Sequence, residues 1–249
     1  MLLINGLGLL ILIIAFALFI GFTFLIRRGL QPDLRPVRAF QTLFSQVGQA
    51  VESGGRVHLS LGSNSIFSEE TSTTLAGLSL LDIVAEAHSI SDRSPIASTG
   101  DATTMFAIND TIRRAYHRRR TLDKYETIST RPVAFDPMAF AGGSTTIIAD
   151  DEVRANIMIG SFGPESVLIM EAAHRQNIPQ IVGSSRLETQ SIGYVIADYP
   201  LLGEEYFATR AYVLKDTPTI GSLITQDVLR WVVAALIVIG AILKTFGLV

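Results

Sequence analysis

Three turns rich in glycine and hydroxyl side chains hold the residue types that could bind an anion. Each turn follows a predicted strand and precedes a predicted helix, which is where ligands collect in open α/β sheets. Free backbone amides at a helix N-terminus also attract negative charge. The candidate ligand-binding residues are Gly62, Ser63, Asn64, Ser65, Thr99, Asp101, Gly160, Ser161, Gly163 and Glu165.

A structural role is the alternative for the same turns, because any tight strand-to-helix connection favours glycine. Neither glycine turn contains the dinucleotide fingerprint, and neither contains the phosphate loop with its lysine. The hypothesis of a small-anion or nucleotide site therefore depends on residue chemistry and position alone.

Asp101 and Glu165 could act as an acid/base pair in the crevice between these turns. Helix capping explains both residues without catalysis, since an acid is favourable at the N-cap and in the first turn. His88 and His174 fall near predicted helix C-termini, where a histidine is stabilising. The chain has no cysteine, which excludes thiolate metal sites and cysteine nucleophiles. We predict no catalytic residue, no metal site and no cofactor.

A basic run ends the helix that is predicted to follow Asp101. On a membrane-tethered domain these arginines could meet anionic lipid, at ~1 kcal/mol per basic residue. The alternative is a solvated helix face paired with acids such as those at 150–152. The formal net charge of −3 gives no indication of nucleic-acid binding. The predicted membrane-surface residues are Arg27, Arg28, Arg118, Arg119 and Arg120.

The N-terminal stretch that must position this chain in the cell carries no charge from Met1 to Ile26. As a helix it would extend ~39 Å, more than the ~30 Å hydrocarbon core of a bilayer. The triplet at 15–17 (Ala-Phe-Ala) resembles a signal-peptide cleavage site, but the apolar run continues past it and no basic residue precedes it. We predict an uncleaved transmembrane helix.

A second apolar stretch, Trp231–Val249, is 19 residues long and is also predicted to span. Trp231 would lie at the near interface, and Lys244 could snorkel to the far one. The alternative is a helix buried in protein. Because arginines follow the first span and no basic residue precedes it, the positive-inside rule predicts a cytoplasmic domain with both termini outside.

The residues between these spans show the strand and helix periodicities of an α/β domain. Two β-α-β units share landmarks, a Gly-Ser turn, a histidine near the helix end and a proline before the second strand. An internal repeat and chance similarity of two generic units explain these landmarks equally well. We predict a Rossmann-like, mostly parallel sheet flanked by N- and C-terminal transmembrane helices. The predicted strands are Val57–Leu61, Pro95–Ser98, Thr127–Phe135 (extended), Ile147–Ile148, Ala155–Ile159 and Ile178–Val182. The predicted helices cover residues 37–51, 73–88, 102–120, 164–177 and 203–214, followed by a long helix from 217.

The predicted domains are a transmembrane helix at 1–28, a linker and amphipathic helix at 29–55, a soluble α/β domain at 56–217 and a C-terminal helix at 218–249. This layout, with segments such as Pro137–Gly143, resembles bacterial membrane proteins of unknown function that carry an α/β domain between two terminal anchors. The resemblance implies no catalytic residues. We expect a two-pass membrane protein acting as a scaffold, a sensor or a subunit of a membrane complex. Its partners would be the lipid bilayer and either further copies or other subunits. The alternative is a membrane-bound enzyme or a small-ligand binder.

Overall fold

The computed structural model describes residues 2–30 and 32–246, and it divides into two compact units. The first unit comprises Met1–Arg35 and Arg210–Val249, and the second comprises Pro36–Thr209. Met1, Gln31 and the last three residues of the predicted second span lie outside the described residues.

Six parallel strands form the single sheet of the second unit, in the order β3-β2-β1-β4-β5-β6. The strands are β1 Arg56–Gly62, β2 Ile96–Thr99, β3 Thr130–Pro132, β4 Val153–Ser161, β5 Gln180–Ser184 and β6 Tyr199–Leu201. The helices of this unit are α2 Arg38–Glu52, α3 Thr71–His88, α4 Ala102–Arg119, α5 Pro137–Asp150, α6 Ser166–Arg175 and α7 Leu187–Ile196. Short 3-10 turns lie at Leu122–Lys124, Thr127–Ser129 and Glu205–Ala208. The predicted α/β class with a Rossmann-like parallel sheet is confirmed.

The strand order reverses between β1 and β4, which are adjacent in the sheet but separated by two β-α connections and α5 in the chain. Leu59 pairs with Ala97 on one side and with Ile157 on the other, so β1 is central. In doubly wound sheets the crevice at such a reversal lies outside the carboxyl ends of the strands. The reversal therefore marks the carboxyl ends of β1 and β4 as the place in this fold where a ligand site is expected.

The alternation that predicts β1 as a strand does not give it a solvent-facing side. His58 and Ser60 are fully buried, as are Val57, Leu59 and Leu61, the apolar residues that alternate with them. The His58 ring bonds Ser98 Oγ through Nε2 and Asn156 Oδ1 through Nδ1, both at 2.8 Å. Asn156 Nδ2 in turn donates to Gln180 Oε1 at 3.2 Å. These hydrogen bonds form a buried polar chain across β2, β1, β4 and β5. The chain is buried because helices cover both faces of a parallel sheet.

The predicted strand at Ile147–Ile148 is wrong, because both residues lie in α5. They are buried against the sheet, and a short apolar pair cannot distinguish a buried helix face from a strand. The sequence analysis also did not predict α7 or the three-residue edge strand β6. The helix predicted to begin at Pro164 begins two residues later, at Ser166, with Glu165 at the N-cap.

The two predicted β-α-β units have the same topology. The first is β1-α3-β2 and the second is β4-α6-β5, each with adjacent parallel strands. His88 and His174 lie in the last turns of α3 and α6.

The first unit contains α1 Leu2–Arg27 and α9 Thr217–Thr245, with most of α8 Thr209–Val213. Among the described residues, two helices are long and apolar enough to span a membrane, Gly8–Arg27 with a mean hydropathy of 3.1 and Thr217–Thr245 with 2.0. The second begins 14 residues before Trp231 and so includes Asp227 and Arg230. The two helices pack through Gly221, where an added Cβ would lie 2.6 Å from Thr23 Oγ1.

Candidate functional site

All ten residues predicted to bind a ligand lie at the carboxyl edge of the sheet. They occupy the last residues of β1, β2 and β4 and the turns that follow, and these three strands are neighbours in the sheet. The reversal of strand order therefore brings the turns of the two predicted units side by side. We call the site formed by these turns and the turn after β5 the switch-point site.

Hydrogen bonds join the β1 turn to the start of α4. Gly100 N donates to Gly62 O at 3.0 Å, and Ser65 Oγ bonds Thr103 Oγ1 at 2.9 Å. Thr104 Oγ1 also donates to Asn64 O at 3.3 Å. The β1 turn is consequently held in one position over the end of β2.

Gly62 and Gly160 are required by the close approach of β1 to β4. Gly62 has a φ of +83°, and a Cβ there would collide with the carbonyl oxygen of Ser161. A Cβ on Gly160 would collide with the carbonyl oxygen of Leu61. Since only glycine tolerates such contacts and a positive φ without strain, sheet packing accounts for both residues.

Asp101 is the N-cap of α4, as predicted. Its Oδ2 accepts from Thr104 N at 2.7 Å and from the Thr103 hydroxyl. Burial alone would raise the pKa of this carboxyl, but the hydrogen bonds from Thr103 and Thr104 outweigh it and lower the pKa. The carboxylate therefore stays ionised and has little capacity to carry a proton near neutral pH.

Glu165 folds back on its own turn, where Oε1 accepts from Gly163 N at 2.8 Å. It occupies one of the backbone amides that an anion would otherwise use. Both carboxylates of the suggested acid/base pair are thus engaged in local backbone bonds.

The turn after β5 belongs to the same edge, and the sequence analysis missed it. Val182-Gly183-Ser184 repeats the strand-Gly-Ser pattern of the other two central turns, which is the signal that could have identified it. Ser184 Oγ accepts from Phe162 N at 3.4 Å and from Arg186 N at 3.3 Å, which links the β4 and β5 turns.

Several polar side chains of the switch-point site make no hydrogen bond to any described residue. The Ser185 hydroxyl oxygen is enclosed and has no partner. Arg186 is exposed and pairs with no carboxylate among the residues described. Three further side chains at neighbouring strand ends and turns also make no hydrogen bond to a described residue, those of Ser63, Asn64 and Ser161. Unpaired hydroxyls, an amide and one guanidinium suit a phosphate or another oxyanion.

The predicted membrane-surface arginines of α4 are mostly paired. Arg118 donates to Asp82 at 2.6 Å and Glu86 at 3.3 Å, and Arg119 reaches Glu86 at 2.9 Å. The hydrogen bond with Asp82, which outweighs burial, raises the pKa of Arg118. Arg120 is the left-handed C-cap of α4. These contacts favour the solvated helix face, although its acids come from α3.

The acids suggested as partners in the sequence bind other arginines. Asp151 makes a bidentate ion pair with Arg131, with N–O distances of 2.5 and 2.8 Å, and Glu152 pairs with Arg93 at 2.8 Å. Arg27 and Arg28 lie at the end of α1, and the Arg28 guanidinium stacks 4.3 Å from the Phe24 ring.

Two surface grooves differ in their distance from the switch-point site, since the groove at α7 adjoins the turn after β5 through Gln190, whose Nε2 donates to Ser184 O at 2.8 Å. One, of about 550 Å³, runs between α5 and α6 and is lined by residues including Thr146 and Leu168. The other, of about 380 Å³, lies beside α7 at Leu187 and Tyr194. In the described part of the chain, no three His, Asp or Glu side chains are grouped to hold a metal ion.

The chain belongs to the family described as the domain of unknown function DUF6754, which it matches over residues 3–249. No curated protein and no solved structure matches it. The family and the two terminal apolar helices agree with the resemblance drawn from the sequence at the level of layout.

Proposed function

We propose that this protein is a membrane-anchored, non-catalytic sensor whose α/β unit binds a small phosphate-bearing ligand at the switch-point site. The observation that carries the proposal is the convergence of unpartnered polar groups at the reversal of strand order. Ser161 ends β4, and the unpartnered Ser185 hydroxyl and the exposed Arg186 follow the neighbouring strand β5, so that Arg186 would supply the positive charge. The engaged state of Asp101 and Glu165 supports binding rather than proton transfer.

A phosphate in this crevice would gain most from Arg186, because hydrogen bonds to a charged donor contribute about 1.5–3 kcal/mol each. Removing that guanidinium should weaken binding by roughly 10- to 100-fold. Removing one hydroxyl should cost less, about 0.5–1.5 kcal/mol.

The test is a binding screen of the full chain in mild detergent against nucleotides, phosphorylated metabolites and inorganic phosphate. Calorimetric titration would follow any thermal shift. Arg186→Gln and Ser161→Ala should reduce affinity for the compound found. Arg113→Gln is the matched control, since Arg113 is also exposed and lies on α4 away from the site. The proposed site would be refuted if no compound in the panel bound, or if Arg186→Gln and Arg113→Gln bound the compound equally well.

A second candidate function is a structural subunit that contacts other copies or other membrane proteins. One face of α7 favours it, since Leu187, Tyr194 and Val195 are 75%, 67% and 81% exposed. Apolar side chains grouped in this way often mark protein contacts. Tyr194→Lys should then lower the mass measured by light scattering in mild detergent, whereas an unchanged mass would argue against this face.

The proposed topology has two transmembrane helices, a cytoplasmic α/β unit and both termini outside. An exposed position on the α/β unit reports its side of the membrane, and Asp123 is suitable. The chain has no native cysteine, so Asp123→Cys introduces a single thiol. In intact cells this thiol should be protected from an impermeant maleimide, and labelling there would reverse the topology.

A further inference from the structure

Three phenylalanines are left in solvent at the carboxyl edge of the sheet. Phe67 is 85% exposed in the β1–α3 connection, Phe106 is 68% exposed on α4, and Phe135 is 78% exposed before α5. A single exposed apolar residue is ordinary, but three large aromatic side chains at one edge form a surface that water solvates poorly.

The segments that carry these phenylalanines are interlocked. Ser65, two residues before Phe67, bonds Thr103, which lies about one helical turn before Phe106. A Cβ on Gly100 would lie 2.6 Å from the Ala134 carbonyl oxygen and 2.8 Å from Ser63 Cβ. The β1 turn, the start of α4 and the residues before Phe135 therefore form one continuous surface, which we call the phenylalanine edge.

Both ends of the α/β unit emerge at the same edge of the sheet. Helix α2 leads into the amino end of β1 and extends ~22 Å, about the length of that strand, so its first residue lies toward the carboxyl end. At the other end, β6 finishes at the carboxyl edge. The Tyr206 hydroxyl that follows lies 3.4 Å from Thr73 Oγ1 in the first turn of α3.

The chain that joins these ends to the apolar helices is short. Seven residues lie between Arg28 and Pro36, and at ~3.3–3.6 Å per residue they reach at most ~25 Å. Seven more separate Thr209 from Thr217. The edge at which both connections leave is thus the edge that a membrane holding α1 and α9 can reach with the least chain.

We propose that Phe67, Phe106 and Phe135 enter the interfacial layer of the lipid bilayer that anchors the chain. Aromatic side chains bury their rings at the boundary between headgroups and acyl chains. The three segments that form the phenylalanine edge, residues 63–70, 99–106 and 133–138, contain no lysine or arginine. The same segments carry four carboxylates, those of Glu69, Glu70, Asp101 and Asp136. The contact is therefore hydrophobic and gains nothing from anionic lipid, so that neutral phosphatidylcholine suits it.

This contact is independent of the ligand proposed for the switch-point site, because the phenylalanines and not the polar turns make it. It does determine how a ligand would arrive, since the site opens at the edge that meets the lipid.

Site-specific quenching in vesicles tests the contact. Phe67→Cys, Phe106→Cys and Phe135→Cys, each in the cysteine-free full chain, would be labelled with an environment-sensitive fluorophore and reconstituted in phosphatidylcholine. Ile90→Cys is the matched control: Ile90 is 70% exposed in the turn between α3 and β2, at the opposite edge of the sheet. Lipid carrying bromine on its acyl chains should reduce emission several-fold at the three test positions and leave position 90 unchanged.

Equal quenching at positions 67 and 90 would overturn the proposal. A blue-shifted but unquenched label whose emission depends on the protein-to-lipid ratio would also overturn it, because that result identifies a second copy as the occupant. Circular dichroism of each variant should match the parent, since the substituted side chains are exposed.

Discussion

The buried His58 makes the stability of the α/β unit depend on pH in a direction that the structure fixes. His58 is fully buried among Ser98, Asn156 and the strands beside them. Burial, only partly offset by the hydrogen bond to Asn156, lowers the pKa of this imidazole from 6.5 to about 4. In the neutral ring, Nδ1 donates to Asn156 Oδ1 and Nε2 accepts from the Ser98 hydroxyl, so the folded state binds no proton there near pH 7.

Below pH 6.5 the unfolded chain binds a proton at this histidine and the folded chain does not. Since the folded pKa is the lower one, the free energy of unfolding falls as the pH falls from about 6.5 toward 4. At 1.36 kcal/mol per pKa unit the loss approaches ~3 kcal/mol at pH 4 and is ~2 kcal/mol at pH 5. A loss of this size is a large part of the ~5–15 kcal/mol that stabilises a typical domain.

His58→Gln removes the titrating group and keeps a polar side chain in the strand. The assay is urea unfolding of the full chain in mild detergent at pH 7.5 and pH 5, followed by circular dichroism. Tryptophan emission would not report on the sheet, because the single tryptophan, Trp231, lies in α9. The variant should be less stable at pH 7.5 but should lose ~2 kcal/mol less than the parent on going to pH 5.

The comparison between parent and variant matters because other groups titrate in the same range. His88 is also buried, and burial lowers the pKa of its ring. Its contribution has the same sign and is present in both proteins, so the difference isolates His58. Identical losses in the parent and in His58→Gln would refute the assignment of a depressed pKa to His58.

The packing of the carboxyl edge yields further predictions. Gly160→Ala should lower the urea midpoint by the equivalent of at least ~1–3 kcal/mol because its Cβ would meet the carbonyl of Leu61, whereas Gly142→Ala, with open space around its Cβ, should be neutral or stabilising. Asp101→Ala should cost ~0.5–2 kcal/mol of unfolding free energy through loss of the α4 cap, and Asp101→Asn much less. Gly221→Leu should separate α1 from α9, and weaker cross-linking between introduced cysteines on the two helices would show it.

The element types were mostly predictable because the central strands carry local strand patterns, an alternation in β1 and apolar residues at 157–159 in β4. Strand β4 has eight buried residues in nine, and helix α4 has a capping aspartate at its start. The failures occur where local pattern carries little information. Ile147 and Ile148 form a buried helix face that looks like a strand in a short window, and β6 has three residues only.

Strand order could not be predicted, because it depends on contacts between residues far apart in the chain. The sequence placed Gly-Ser turns after two strands, but it did not place those strands beside each other. The structure pairs Leu59 with Ile157 and so creates the reversal that joins the turns. Pairing of β4 with β5 then adds Arg186, the cation of the proposed site, from a turn whose Gly-Ser pattern was present but not used.

The glycines and the serines of these turns must be tested separately, because the glycines are needed for strand packing whereas the serines are candidates for ligand binding. Gly62 and Gly160 are needed by the sheet itself, so loss of ligand binding in a glycine variant would report only misfolding. Ser63 and Ser161 follow them directly, their side-chain hydroxyls make no hydrogen bond to a described residue, and both can be changed to alanine without moving the backbone. Affinity lost in Ser161→Ala at unchanged urea midpoint is therefore the result that separates a binding turn from a tight one.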